Sequence, residues 1–248
     1  MIVMMCGKGG CGKSTVTALL ANTFAKSGKK VIVIDMDESN YGLYRQLGLE
    51  LPKDFTHYFG FKKGIFQVQD NLKEGEKVFP EVWSYDTLPE EFVSSDGNVK
   101  LMAVGKIHHA GEGCACPMGS VAKELLDNLS LEKDEIVLVD AEAGVEHFGR
   151  GIDAKADKIL MVVDPSYESV SLAKKIKSMC EDIHKPFGII LNKVTKEQES
   201  IILKSFAGEY SVAGIIGLND EIMTKGLLGE KLDFVPGGVS QVMDYLLS

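Results

Sequence analysis

The chain has 248 residues, 45% of them hydrophobic and 25% charged, with a formal net charge of −9. That length can bury one large core or two small ones, and the ordinary charge fraction excludes a disordered chain, so one domain over 1–248 is expected. The acidic balance, with no Lys/Arg cluster, excludes a surface built to neutralise phosphates along DNA or anionic lipid, so neither nucleic acid nor membrane is an expected partner.

Residues 1–5 are an apolar run of strand length, and the start of the sequence does not read as a charged n-region followed by an apolar h-region. No apolar run approaches the ~18 residues of a membrane span, so a cytoplasmic, soluble protein is expected. The run leads into C-G-K-G-G-C-G-K-S-T at 6–15, which fits the phosphate-binding pattern G-x-x-x-x-G-K-[ST] at Gly7, Gly12, Lys13 and Ser14. A helix over 14–26 follows, stopped by Ser27-Gly28. The strand before and the helix after are the context such a loop needs.

Its glycines let consecutive N–H groups converge on phosphate oxygens. Lys13 places a compact charge on the β and γ phosphates, and the Ser14 hydroxyl is left for Mg²⁺. The candidate cradle for ATP or ADP is Gly7, Lys8, Gly9, Gly10, Cys11, Gly12, Lys13, Ser14 and Thr15.

Residues 30–34 read as a buried strand running into Asp35-Met36-Asp37, whose alternation gives both acids a common direction, one for the magnesium shell and one to orient water. Residues 49–98 break the rhythm with charges, aromatics and turn signals, and read as an ordered excursion. Strands follow at 99–104, 135–139, 158–163, 187–191 and 211–216, with helices at 118–129, 167–183, 197–206, 219–227 and 239–247. The strand at 135–139 ends in Asp140, a candidate magnesium-side carboxylate, and continues to Gly144, a hinge able to aim its N–H at the γ-phosphate. The alternation predicts an α/β fold: a mainly parallel sheet with helices on both faces, binding ligands beyond the carboxyl ends of its strands.

Lys8 makes the loop resemble that of the deviant Walker A ATPases, the P-loop NTPase group that includes MinD, ParA and the nitrogenase iron protein. The segment from Asp35 to Asp37 looks like that group's switch I, and the segment from Asp140 to Gly144 its switch II. The resemblance implies an ATP-hydrolysing homodimer in which Lys8 meets the partner's phosphates. Lys13 would hold the chain's own phosphates, Asp37 would position the attacking water, Asp140 would act on Mg²⁺, and Asn192 would recognise adenine.

The five cysteines, an odd number with no export signal, read as thiols for metal or packing. Cys114 and Cys116, in G-C-A-C-P, are two thiols that an extended loop can point the same way, half of a four-thiolate site. A twofold dimer supplies the other half. Tetrahedral sulfur suits Zn²⁺ or an iron–sulfur cluster, and a planar arrangement suits Ni²⁺. Cys6, Cys11 and Cys180 read as structural, and a polar turn explains His108 and His109 as well as metal ligation does.

The C-x-C pair, the stretch AEAGVEHFGRG at 141–151 and VVDPSYESV at 162–170 resemble the CooC family, ATPases that assist nickel insertion into carbon monoxide dehydrogenase. The resemblance runs over nearly the whole chain and implies a metallochaperone whose client is carbon monoxide dehydrogenase or a related nickel enzyme. Two readings stand beside it. One is an iron–sulfur cluster carrier or reductase ATPase. The other is a MinD- or ParA-type positioning ATPase, which the short acidic tail VSQVMDYLLS disfavours.

Overall fold

The computed structural model describes residues 1–59, 79, 81–106, 116–141, 144–145, 148 and 151–248, with backbone alone at 116–118. Eight strands form one sheet: β1 (Ile2–Gly7), β2 (Lys30–Asp35), β3 (Ser94–Asp96), β4 (Val99–Ala103), β5 (Glu135–Asp140), β6 (Lys158–Val163), β7 (Phe187–Val194) and β8 (Val212–Gly217). Their order is β3-β4-β2-β5-β1-β6-β7-β8, parallel throughout except for the antiparallel β3–β4 edge pair. The central strands β1, β2, β5 and β6 are almost wholly buried, which is why they read as continuous apolar runs.

The helices are α1 (Lys13–Lys26), α2 (Leu43–Leu47), α3 (Cys116–Asp127), α4 (Tyr167–Asp182), α5 (Lys196–Ser205), α6 (Asp220–Leu228) and α7 (Gly237–Leu247). Alternate strand residues feed two cores. Met4, Ile32, Ile34 and Met161 face α3, α4 and α5, while Val3, Met5, Val31 and Val33 face α1, α2 and α7. The expected α/β sheet covered on both faces is therefore present. Helix α1 buries ten of its residues because it lies in the middle of its layer, and α7 rides so close to β8 that a side chain at Gly238 would strike the Ile215 carbonyl.

Part of the aperiodic excursion is ordered against this frame. Phe55, Tyr58, Phe59, Phe79, Trp83 and Phe92 form an aromatic cluster joined to the α3 side of the core. Two elements were not legible as periodicity: within the excursion β3, a three-residue edge strand without an apolar run, and ahead of it the five-residue α2. Helix α3 begins at Cys116, two residues before the expected start, with Pro117 in its first turn where a missing N–H is harmless. The expected loop setting of Cys116 is thus corrected to a helix N-terminus.

Candidate functional site

The ends of β1, β2, β5 and β7 converge on one cleft, as a parallel sheet of this order requires. Residues 6–12 leave β1 and turn into α1, with Gly12 at φ 96° and Cys11 N–H donating to the Lys8 carbonyl at 3.2 Å. Asn192, near the end of β7, donates to the Cys11 carbonyl at 2.8 Å, and a side chain at Gly12 would collide with it. Lys193, at φ 60°, donates to the Gly10 carbonyl at 2.8 Å. The cradle is thereby shaped from both flanks.

In front of it lies a cavity of about 470 Å³ lined by Gly9, Gly10, Gly12, Lys13, Ser14, Thr15, Asp37, Ser39 and Asn40, with Gln46 and Lys193 at its side. An adjoining cavity of about 760 Å³ shares Thr15, Gln46 and Lys193 and runs past Asn192 to Leu218, Ile222 and Met223. The first has the size and polarity of a polyphosphate site. The second, more apolar, has those of a nucleoside site.

Beneath the cradle, Ser14 Oγ donates to Asp140 Oδ2 at 2.5 Å and accepts from Asn40 Nδ2 at 2.5 Å. Asp140 is fully buried, and its Oδ1 has no hydrogen-bond partner. A buried carboxylate oxygen left unpaired is costly unless a cation meets it, so Ser14 and Asp140 fit a divalent ion beside the phosphates. Burial pushes the Asp140 carboxyl up, with the Ser14 hydrogen bond and the Lys13 charge pulling against it.

Asp35 and Asp37 do not share a task. Asp35 is buried and its Oδ2 pairs with Lys106 Nζ at 2.7 Å, while Asp37 borders the phosphate cavity with Oδ1 accepting from Ser39 N–H and Oγ. The common direction expected from alternation is lost because the chain leaves extended geometry after Asp35. The Gly144 N–H is engaged by the Gly7 carbonyl at 3.3 Å, so it donates to the loop itself. Lys8 Nζ donates to Ser166 Oγ at 3.1 Å and lies 3.7 Å from Asp164. Its ammonium is thus engaged within its own chain.

Cys6, Cys11 and Cys180 are buried, and burial raises all three thiols, which suits packing rather than thiolate chemistry. Cys114, His108 and His109 lie outside the described residues, and of Cys116 only the backbone is placed. Among the described residues no group of three or more His, Cys, Asp or Glu could hold a metal, and no helix is long and apolar enough to cross a membrane. Sequence reasoning missed Lys106, Gln46 and Lys193; Asn40 stood at the end of the segment from Asp35 without a role, and Lys193, beside Asn192, had a signal that could have found it.

Comparison with known proteins agrees with this geometry. A family model described as the CobQ/CobB/MinD/ParA nucleotide binding domain matches residues 2–231. An uncharacterized ATP-binding protein of Methanocaldococcus jannaschii is 45% identical over 248 residues, covering 99% of each chain. The carbon monoxide dehydrogenase accessory protein CooC of Rhodospirillum rubrum is 28% identical over 92% of this chain and 88% of its own. Among solved structures, the septum site-determining protein MinD of Pyrococcus horikoshii with Mg-ADP superposes with a TM-score of 0.71 at 16% identity, covering 99% of this chain and 95% of that one.

Proposed function

Because the chain belongs to the CobQ/CobB/MinD/ParA nucleotide-binding domain family, we propose that it binds and hydrolyses ATP as a homodimer and uses the nucleotide to govern delivery of nickel to carbon monoxide dehydrogenase or a related nickel enzyme. The observation that carries the nucleotide part is the Ser14 hydroxyl, held between Asp140 and Asn40 directly under the glycine cradle, with a buried Asp140 oxygen waiting for a cation. Bound there, Mg²⁺ would neutralise charge building on the phosphates.

The chain's own residues supply the rest. Lys13 lies at the cavity floor as a charge for the β and γ phosphates, and the cradle N–H groups hold their oxygens. Asp37 stands at the rim, where its carboxylate positions water. Lys8 serves the partner's triphosphate, so two subunits attract each other only when nucleotide is present. Asn192 borders the nucleoside cavity, on the side where adenine would lie.

Two features support the nickel assignment: the C-x-C pair at Cys114 and Cys116, and the 28% identity to a CooC protein. In the closed dimer the two pairs form a four-thiolate cage for Ni²⁺ or Zn²⁺. Loss of the γ-phosphate contacts relaxes the switches and loosens that cage, biasing the ion toward release.

Anaerobic titration with Ni²⁺ or Zn²⁺ should saturate near about one ion per dimer. Undiminished binding by a Cys114→Ser variant refutes the cage. A protein that stays monomeric by light scattering, with a non-hydrolysable ATP analogue and Mg²⁺ present, refutes the dimer. Iron and sulfide in the anaerobically purified protein, with the matching absorbance, would move the assignment to iron–sulfur cluster carriage.

A further inference from the structure

The side chain of Lys106 is 1% exposed, yet its ammonium is fully engaged beside the site. It pairs with Asp35 Oδ2 at 2.7 Å and donates to the carbonyl oxygens of Asp37 at 2.5 Å and Asn40 at 2.6 Å. An ammonium has three protons to give, and here each finds an acceptor. Two of them bracket the turn at 37–40, which Asn40 N–H also closes onto the Asp37 carbonyl at 3.3 Å.

The base from which Lys106 reaches out is itself fixed. Strand β4 pairs with β2 in parallel, with Asp35 opposite Ala103, so the chain leaving β4 runs beside the chain leaving β2. There the N–H groups of Gly105 and Lys106 both donate to the buried Asp54 carboxylate. Asp54 is anchored in turn by the Thr56 N–H at 2.8 Å and the Thr56 hydroxyl at 2.6 Å.

Lys106 lines neither cavity, but both ends of the turn it grips do. Asp37 and Asn40 face the phosphate cavity, and Asn40 carries the hydrogen bond to Ser14. The geometry points to Lys106 as a positioning residue for ATP hydrolysis: it holds the 37–40 turn so that Asn40 aligns the Ser14 hydroxyl and Asp37 keeps its carboxylate where it positions the attacking water. This inference rests on the nucleotide reading above and adds a residue to it.

Lys106→Met alone strands the Asp35 carboxylate in the interior and threatens the fold, so the decisive variant is Lys106→Met with Asp35→Asn, which removes both charges together. Affinity for ADP is measured with excess Mg²⁺ and with EDTA, and kcat for ATP alongside. The affinity in EDTA should stay within about threefold of the parent, because the glycine cradle is untouched. The gain in affinity from Mg²⁺ should shrink about tenfold and kcat should fall about a hundredfold, the scale of a misaligned reacting group.

Parental kcat and parental Mg²⁺ gain in a folded double variant overturn the inference. So does an equal loss of affinity with and without Mg²⁺, which marks general structural damage. A parent protein that binds no nucleotide sinks the nucleotide reading, and the inference goes with it.

Discussion

Lys8 and Ser166, 158 residues apart in the chain, meet at 3.1 Å, with Asp164 behind them 3.7 Å from the ammonium. Ser166 in turn donates to Asp164 at 2.6 Å and caps α4 by accepting the Ser169 N–H. If Lys8 serves a partner's phosphates as proposed, it must first leave this place in its own chain.

Freeing that lysine should favour the dimer. The pair is partly solvated, with 35% of the Lys8 side chain exposed, so it holds by about 0.2–1 kcal/mol. Asp164→Asn should tighten the ATP-analogue dimer by up to about fivefold for each lysine released, as read by sedimentation equilibrium. An unchanged dimer constant, against a parent dimer that Lys8→Ala abolishes, rejects the restraint.

Ser14→Ala removes the hydroxyl that Asp140 and Asn40 share. Stability without ligand should drop by about 1–3 kcal/mol, since Asp140 is left buried with neither oxygen partnered. The affinity that Mg²⁺ adds to ADP binding should fall at least about tenfold, while binding in EDTA persists. Isothermal titration with and without the ion checks it, and an intact Mg²⁺ gain would show that the cation site lies elsewhere.

Burial, the largest influence, pushes the Asp35 carboxyl up to about 7, with Lys106 pulling it down and Asp140 pushing it further up. A group with its pKa raised by folding holds more protons in the native state. The stability it lends is complete below the unfolded value near ~3.9, drains as pH rises toward about 7, and is gone above that. Asp140, raised to about 6, works in the same direction over a narrower window. Thermal melts without Mg²⁺ should therefore show declining stability from pH 4 to 7, at up to ~1.4 kcal/mol per pH unit for each group. The Lys106→Met/Asp35→Asn variant should show a flatter curve above pH 6. A curve parallel to the parent's would remove Asp35 from the account.

Cys180 lies buried on α4 against the sheet, its thiol raised by burial to about 12. Cys180→Ala should lower stability by about 1 kcal/mol through a small cavity and leave metal stoichiometry at the parental value. Metal analysis alongside a denaturant melt tests both. Loss of bound metal in this variant would move the candidate ligands away from Cys114 and Cys116.

Much of the site was legible because its parts are contiguous. Residues 6–15 carry the cradle within one turn of chain, and the buried runs at β2 and β5 announce the strand ends that present Asp35 and Asp140. The alternation of runs and periodic segments gave the parallel sheet. The strand β3 escaped notice because its SSD sequence has no apolar alternation, and α2 because five residues complete little more than one helical turn.

What the sequence determined by itself is the local chemistry: a loop whose backbone donors converge on phosphate, and carboxylates placed at the ends of apolar strands. Only the tertiary structure decided which side chains govern those groups. Strand order set β4 beside β2 and so brought Lys106 to Asp35, and the ends of β6 and β7 brought Ser166 to Lys8 and Lys193 to Gly10. Such pairings join residues distant along the chain, and their polar groups become specific only where burial removes water as a competing partner. No spacing along the chain records that burial.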